Sequence, residues 1–543
     1  MLRDIYARLD QGVPIPDEDA LVIEFVFATP TDAETLTARL ATALPGAPAT
    51  VTPVFEDGPD QYHFVRFDGV TGQGQEALAF DLARALRPQV EADEANPVLS
   101  DSLYGVAAVG ATDTESLAGG CSTPRDDGWP WGWVHPRIGT RAVWDTHTRG
   151  AGSTVAVIDT GHSTHQELTG AIRQQGQRNF VEGGTDAHDR FSRGILKHPG
   201  HGTLVCSVIA SRGTVNEHGD VTSGGGITGA APEATILPIR AIKSVINFRQ
   251  TTIAPAIAHA INEGADVIAM ALGGPTRVAS TERALRLAVA RGLVVVCAAG
   301  NCWPRVVFPA AYAAQGLCTA VAALNPDLTP WDKTGSGPEV TIANFGVHVW
   351  GAAKNKASDP DHGIRPAQGT TLATSLTAGA AALWVAHHGG RAALRQKADA
   401  AGTTVQAMFV HCLTHGITKP PVWGGSGALG AGLIDVERLL ACPLPTGAEA
   451  PAPAAPEATG TAPTLALLQS HLAGHDPEAA GEIDAEMADF AGELIWLSHR
   501  AQARDRAART SAAESVSGVD PASATLDQVL AAKPALRAAL RRP

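Results

Sequence analysis

Gly369-Thr370-Thr371-Leu372-Ala373-Thr374-Ser375-Leu376-Thr377-Ala378-Gly379 runs into an Ala/Leu-rich continuation from Ala380 to Trp384. Flanking glycines and two adjacent hydroxyls ahead of an apolar run predict a tight turn entering a buried helix. A hydroxyl at such a helix start sits in positive dipole potential, beside unpaired backbone N–H groups. A nucleophile needs those surroundings when an oxyanion must form next to it. Outward from this stretch, three others place a polar residue at the end of an apolar element. The β-branched run Ser153 to Ile158 reads as a strand buried on both faces and ends in Asp159-Thr160-Gly161. Gly200-His201-Gly202-Thr203 leads into the helical run Leu204 to Ala210, its glycines leaving the imidazole accessible. Ala298-Ala299-Gly300-Asn301 closes the apolar strand Leu293 to Cys297. Taken singly, His201 reads as a helix cap and Asn301 as a turn residue.

Taken together and in order, the four stretches resemble the subtilisin-like (S8) proteases. The first looks like that family's Gly-Thr-Ser-Met-Ala-Thr-Pro, except that Thr371 stands where the family carries its nucleophilic serine. The order Asp, His, nucleophile is the one subtilisin uses. His165-Gln166-Glu167-Leu168 is similar to the family's His-Pro-Asp-Leu, Gly229 to Ala234 to another family stretch, and Pro309-Ala310-Ala311-Tyr312 to its Tyr-Pro-Ala segment. Asp-Thr-Gly also occurs in aspartic proteases, but this sequence holds no second copy. The resemblance covers residues of about 130 to 445. It implies that His201 takes the proton of the nucleophile Thr371, that Asp159 fixes the imidazole tautomer, and that Asn301 with the N–H of residue 371 holds the oxyanion. It also implies a substrate segment at Met270 to Gly274, with Ala271, Leu272 and Gly273 on one side of the main specificity pocket and Ala298, Ala299 and Gly300 on the other. Small residues there predict room for a sizeable side chain. Ser375 lies one turn deeper in the helix, about 6 Å further along, a poor substitute nucleophile.

Strand patterns at Thr235 to Ile239, Val267 to Met270, Leu293 to Cys297 and Leu317 to Ala323 alternate with helical ones (Ile253, Ile257, Ile261; Leu285, Val289). Such alternation predicts an α/β unit with a doubly wound, mostly parallel sheet, subtilisin-like in the light of the resemblance, whose site lies at the strands' carboxyl ends. Before it, residues 1–105 read as βαββαβ, a ferredoxin-like α+β plait. Its strands are Leu21 to Ala28, Val51 to Phe55 and Tyr62 to Val70, closed by Val90 to Asp93. Its helices follow a capping box at Thr31-Asp32-Ala33-Glu34 and span Gln75 to Leu86. Precursors of the resembled family often carry such a unit as a propeptide; an unrelated small domain is the alternative. Residues 106–130 read as a linker, 131–446 as the catalytic domain, 447–464 as an Ala/Pro-rich linker and 465–543 as a helical C-terminal region. There Ile483, Met487, Phe490, Leu494 and Leu497 make one apolar stripe, for packing or for a protein partner.

A length of 543 residues predicts two or three units. A net charge of −14 argues against nucleic acid and anionic membranes as partners, and no apolar run is long enough to span a bilayer. Met1 to Tyr6 lacks the character of a secretory signal. The seven scattered cysteines read as reduced, buried small hydrophobes, which together place the protein in the cytoplasm. His162, His165 and His188 lack a convincing ligand spacing, so neither metal nor cofactor is expected. The partners expected are a polypeptide substrate and the N-terminal unit, acting as intramolecular inhibitor or chaperone. Two functions fit: an endopeptidase made slow or specialised by Thr371, or a pseudoprotease that binds peptide or protein through the same cleft. An engineered Ser-to-Thr variant is a further alternative. The intact Asp159, His201 and Asn301 favour the first, because a binder needs neither a base nor an oxyanion donor.

Overall fold

The computed structural model describes residues 2–10, 20–55, 58–71, 75–98, 128–192, 197–213, 227–246, 249–274, 276–301, 305–447, 450–452, 462–473, 476–509 and 521–541. Most of both expected linkers therefore lies outside the described residues.

The N-terminal unit runs α1 (Leu2–Leu9), β1 (Ala20–Thr31), α2 (Ala33–Ala43), β2 (Ala49–Pro53), β3 (Asp60–Thr71), α3 (Glu76–Leu86) and β4 (Glu94–Val98). Its antiparallel sheet has the order β2-β3-β1-β4, a ferredoxin-like plait. Strand alternation sorts the side chains onto two faces. Leu21, Ile23, Phe25, Val65 and Phe67 form a core with Leu36, Leu40, Leu82 and Leu86 of α2 and α3. Val22, Tyr62, Phe64 and Val98 belong instead to the large core shared with the rest of the chain. Two local expectations shift. The cap of α2 is Asp32, whose carboxylate accepts from the Thr35 N–H at 2.6 Å, not Thr31. The closing strand is 94–98, because Val90 to Asp93 complete the turn leaving α3.

The central unit contains α4 (Val134–Ile138), α5 (Thr140–Thr146), β5 (Thr154–Asp159), β6 (Arg178–Asn179), α6 (His201–Ala210), β7 (Thr235–Arg240), α7 (Ile253–Asn262), β8 (Val267–Met270), α8 (Ala279–Ala290), β9 (Val294–Ala298), β10 (Thr319–Leu324) and β11 (Ile342–Phe345). These seven strands form one parallel sheet in the order β11-β10-β9-β8-β5-β7-β6. From β5 the chain builds outward to β7 and β6 on one side and to β8 through β11 on the other. The carboxyl end of β5 is thus the switch point, where such sheets open a crevice. A hairpin, β12 (Val349–Ala352) with β13 (Ile364–Ala367), precedes α9 (Thr370–His387). Every residue of α9 from Thr370 to Val385 is buried, as a helix apolar on all sides requires. It lies against β8 to β11 and α6. Three helices follow, α10 (Arg391–Ala401), α11 (Val405–Thr414) and α12 (Val436–Ala441).

The C-terminal region is helical: α13 (Ala462–Ala473), α14 (Pro477–Gly481), α15 (Ala491–Arg509), α16 (Ala524–Leu530) and α17 (Pro534–Leu540). The stripe of Ile483, Met487, Phe490, Leu494 and Leu497 is buried. It is not one helix, because a 3-10 turn at Ala485–Phe490 precedes α15. Among the described residues, no helix is long and apolar enough to cross a membrane.

Candidate functional site

Four elements meet at the switch point. Asp159 is the last residue of β5, where its carboxylate accepts the Thr160 N–H at 2.7 Å. His201 is the first residue of α6, and its Nδ1 lies 2.8 and 3.0 Å from the two Asp159 oxygens. Its Nε2 lies 3.2 Å from Oγ1 of Thr371, the second residue of α9. All three side chains are buried. The carboxylate fixes Nδ1 as the N–H of the imidazole, which leaves Nε2 as the base facing the hydroxyl.

The glycines beside His201 are steric necessities. Gly200 caps α6 in the left-handed conformation (φ 80°), and a Cβ there would lie 1.9 Å from the Lys354 carbonyl. A Cβ on Gly202 would lie 1.9 Å from the Gly161 carbonyl. The loop after β5 therefore touches the backbone of α6, which holds Asp159 against His201.

Asn301 follows β9, and its Oδ1 accepts from both the backbone N–H (2.8 Å) and the hydroxyl (2.7 Å) of Thr370. Both Thr370 groups donate here, so the amide oxygen is assigned unambiguously and the NH2 end points the other way. The Gly300 N–H in turn donates to Thr370 Oγ1 at 3.3 Å. Sequence reasoning missed this function of Thr370; its signal was a second hydroxyl beside Thr371. Ser375 is completely buried and donates its hydroxyl to the Thr371 carbonyl at 2.8 Å.

A cavity of about 30 Å³ opens beside Thr371, lined by Ala271, Leu272 and Gly273 on one side and Ala298, Gly300 and Asn301 on the other. Ala299 does not line it; its N–H and carbonyl bond Val321 and Val307. That volume holds about one or two water-sized groups, which differs from the roomy pocket expected. Val307 is the reason. A Cβ added to Gly273 would lie 2.3 Å from Val307 Cγ2, and one on Gly300 would lie 3.0 Å from Cγ1. The isopropyl group occupies the space the two glycines leave. No sequence pattern pointed to Val307.

His162, His165 and His135 lie in structural surroundings away from this relay. His162 packs against His188 with ring centroids 4.2 Å apart and the rings tilted by 40°, and burial, then the neighbouring His188, push its pKa down to about 4. His165 accepts the Glu167 N–H, with Nε2 2.9 Å from the Gly363 carbonyl. Burial likewise depresses His135 to about 4. Among the described residues, no group of three or more His, Cys, Asp or Glu is arranged to hold a metal. The five described cysteines are buried and unpaired by disulfides.

A carboxylate, an imidazole and a hydroxyl in sequence, beside an anchored amide and a helix start, is the equipment of a hydrolase that works through a covalent acyl intermediate. Residues 150–419 match the subtilase family model, Peptidase_S8. The intracellular serine protease of Paenibacillus polymyxa is 33% identical over 250 residues, 45% of this chain and 69% of that protein. Subtilisin Savinase of Lederbergia lenta is 30% identical over 255 residues, 47% of this chain and 83% of that protein. Thermitase of Thermoactinomyces vulgaris is 30% identical over 248 residues, 46% of this chain and 79% of that protein. The chain belongs to the subtilase family.

Proposed function

We propose that this chain is an endopeptidase in which Thr371 attacks the scissile carbonyl of a polypeptide. The observation that carries this reading is the 3.2 Å contact between His201 Nε2 and Thr371 Oγ1, with the far side of the ring held by Asp159. As the Oγ1–carbon bond forms, the hydroxyl proton passes to Nε2, and Asp159 stabilises the imidazolium. The oxyanion is received by the Asn301 NH2 and the N–H of residue 371. Collapse breaks the C–N bond, and the amine leaves with the proton from Nε2. Water, deprotonated by the same nitrogen, then frees the acid from Thr371.

The cavity beside Thr371 receives the side chain of the residue whose carbonyl is attacked. With Val307 filling it, small side chains are preferred at that position. The Thr371 methyl slows the attack, because a β-branched residue has restricted χ1 and misplacement of about 1 Å costs roughly 10²-fold. A second reading, a peptide-binding pseudoprotease, draws on the same methyl and on the narrowness of the cavity. The N-terminal plait acts on the central unit as inhibitor or folding aid, and the protein works in the cytoplasm, a location supported by relatives named as intracellular proteases.

Hydrolysis of an unstructured protein by Thr371→Ser tests the reading. The exchange keeps the attacking oxygen and removes one methyl, so activity is expected to rise roughly 10-fold or more. Thr371→Ala is expected to be inactive, and a fluorophosphonate probe to label the serine form. A folded Thr371→Ser protein that neither hydrolyses nor labels overturns the enzyme in favour of the binder.

A further inference from the structure

The N-terminal unit is gripped from two sides by parts of the chain that are remote from one another. On the central side, buried Glu24 of β1 accepts the N–H groups of Ala279 and Ser280, both at 2.8 Å, at the start of α8. Nearby, Glu94 of β4 pairs with Arg277 at 3.1 Å. On the other side stands the C-terminal region. Arg84 of α3 meets Glu493 of α15 at 2.9 Å, with the Glu493 side chain fully buried. Arg84 also donates to Ser523 and bonds Asp81 at 2.9 Å. Glu493 accepts from the Ser523 N–H at 2.6 Å and its hydroxyl at 2.9 Å. Asp81 accepts the Thr525 hydroxyl at 2.8 Å, and Arg87 makes a two-pronged pair with Asp489 at 2.7 and 2.9 Å. Ring contacts complete the joint: Phe80 and Trp496 with centroids 6.1 Å apart, and the Arg84 guanidinium over the Phe490 ring, 4.8 Å from its centroid.

We propose that the C-terminal helices are a docking surface for the N-terminal unit and keep it on the protein after the stretch 99–127 is cut. Two physical points carry this. A largely buried guanidinium–carboxylate pair whose lone pairs are met by further donors is specific, because removing Arg84 leaves the fully buried Glu493 side chain without its cation. And the docking surface is covalently attached to the central unit through the chain after α12, so the N-terminal unit keeps a tether when its own peptide connection is gone. Rebinding is then intramolecular, at an effective concentration in the millimolar range for short linkers. The N-terminal unit thus acts as a resident subunit, whether or not Thr371 cleaves peptides.

The test uses the full chain with recognition sites for two different site-specific proteases, one inserted within 99–127 and one within 453–461. Release of the N-terminal unit from the central unit is followed by native mass spectrometry in mild urea. After the first cut alone the unit is expected to stay bound; after both cuts release is expected to be at least about 10-fold faster. Arg84→Ala, singly cut, is expected to release like the doubly cut wild type. Equal release from singly and doubly cut protein overturns the proposal, as does prompt loss of the unit after the first cut. Should Arg84→Ala fail to fold, the comparison of cuts in the unchanged chain decides. The readout is mass, so it is independent of peptide hydrolysis.

Discussion

The buried relay of Asp159, His201 and Thr371 and the largely buried relay of Asp81, Arg84, Glu493 and Ser523 share a geometry and differ in what they can do. Each joins carboxylate to hydroxyl through a nitrogen base, at 2.8 to 3.2 Å in the first and 2.9 Å for the Arg84–Glu493 pair of the second. An imidazole can change its proton near neutral pH; a guanidinium cannot. The first relay can therefore pass a proton from hydroxyl to ring, whereas the second can only hold two surfaces together. Hydrogen-bond geometry alone does not separate a site of chemistry from a fastening. The protonation chemistry of the central group does.

The sharpest break between the two comes from His201→Ala in the Thr371→Ser background. Hydrolysis is expected to fall about 10⁴-fold or more, while the urea midpoint stays near that of the parent. A parent-like rate would remove His201 from the chemistry. Asn301→Ala in the same background is expected to lower kcat by about 10²–10³ with KM within a few fold; a change confined to KM would instead assign Asn301 to binding. Glu493→Ala acts on the other relay. It removes one of the two carboxylates that Arg84 pairs with, leaving Asp81 at 2.9 Å, and equilibrium unfolding is expected to lose about 1–3 kcal/mol with hydrolysis per folded molecule unchanged. Val307→Ala opens the cavity, and a peptide series is expected to shift toward larger side chains by about 10-fold in kcat/KM; an unchanged preference would place specificity elsewhere.

The smallest effect is electrostatic. His135 is buried, its ring nitrogens bonding Thr140 and the Thr228 carbonyl, and its pKa falls from 6.5 to about 4 on folding. A depressed histidine contributes stability that is present above pH 6.5 and lost as pH falls toward 4. Between pH 7.5 and 5.5 the loss is expected to be about 1 kcal/mol. Burial raises Glu24 and Glu493, which act with the opposite sign. The decisive quantity is therefore the difference in unfolding free energy between wild type and His135→Gln. A difference constant with pH would mean that His135 does not titrate.

The strands β5, β7, β8, β9 and β10 were legible because parallel strands buried on both faces are unbroken apolar runs. β11 was not, since Ile342-Ala343-Asn344-Phe345 is four residues long and holds a polar Asn344. The relay around His201 was readable because sharp glycine turns mark each of its members locally. Thr370 could have been suspected from its position, but Val307 meets Gly273 and Gly300 only in three dimensions. The second relay was the least legible. Asp81 and Arg84 on α3 and Arg87 just after it make a polar stripe at i, i+3 spacing, yet their partners in the C-terminal region lie 402 to 444 residues away. Local pattern shows that such a stripe exists and is silent about what it faces.

Gly200 and Gly202 carry a consequence for inheritance. A glycine codon is fixed by its first two bases, and every amino-acid change from it installs a Cβ. At both positions that atom would fall 1.9 Å from a backbone oxygen, of Lys354 and Gly161 respectively, where no flexible side-chain end can yield. Even alanine, the mildest replacement, must move main chain on which the Asp159–His201 contact depends. In a saturation library these two codons should tolerate only third-base changes, so that a lineage keeping the Asp159–His201 contact inherits its glycines as a unit.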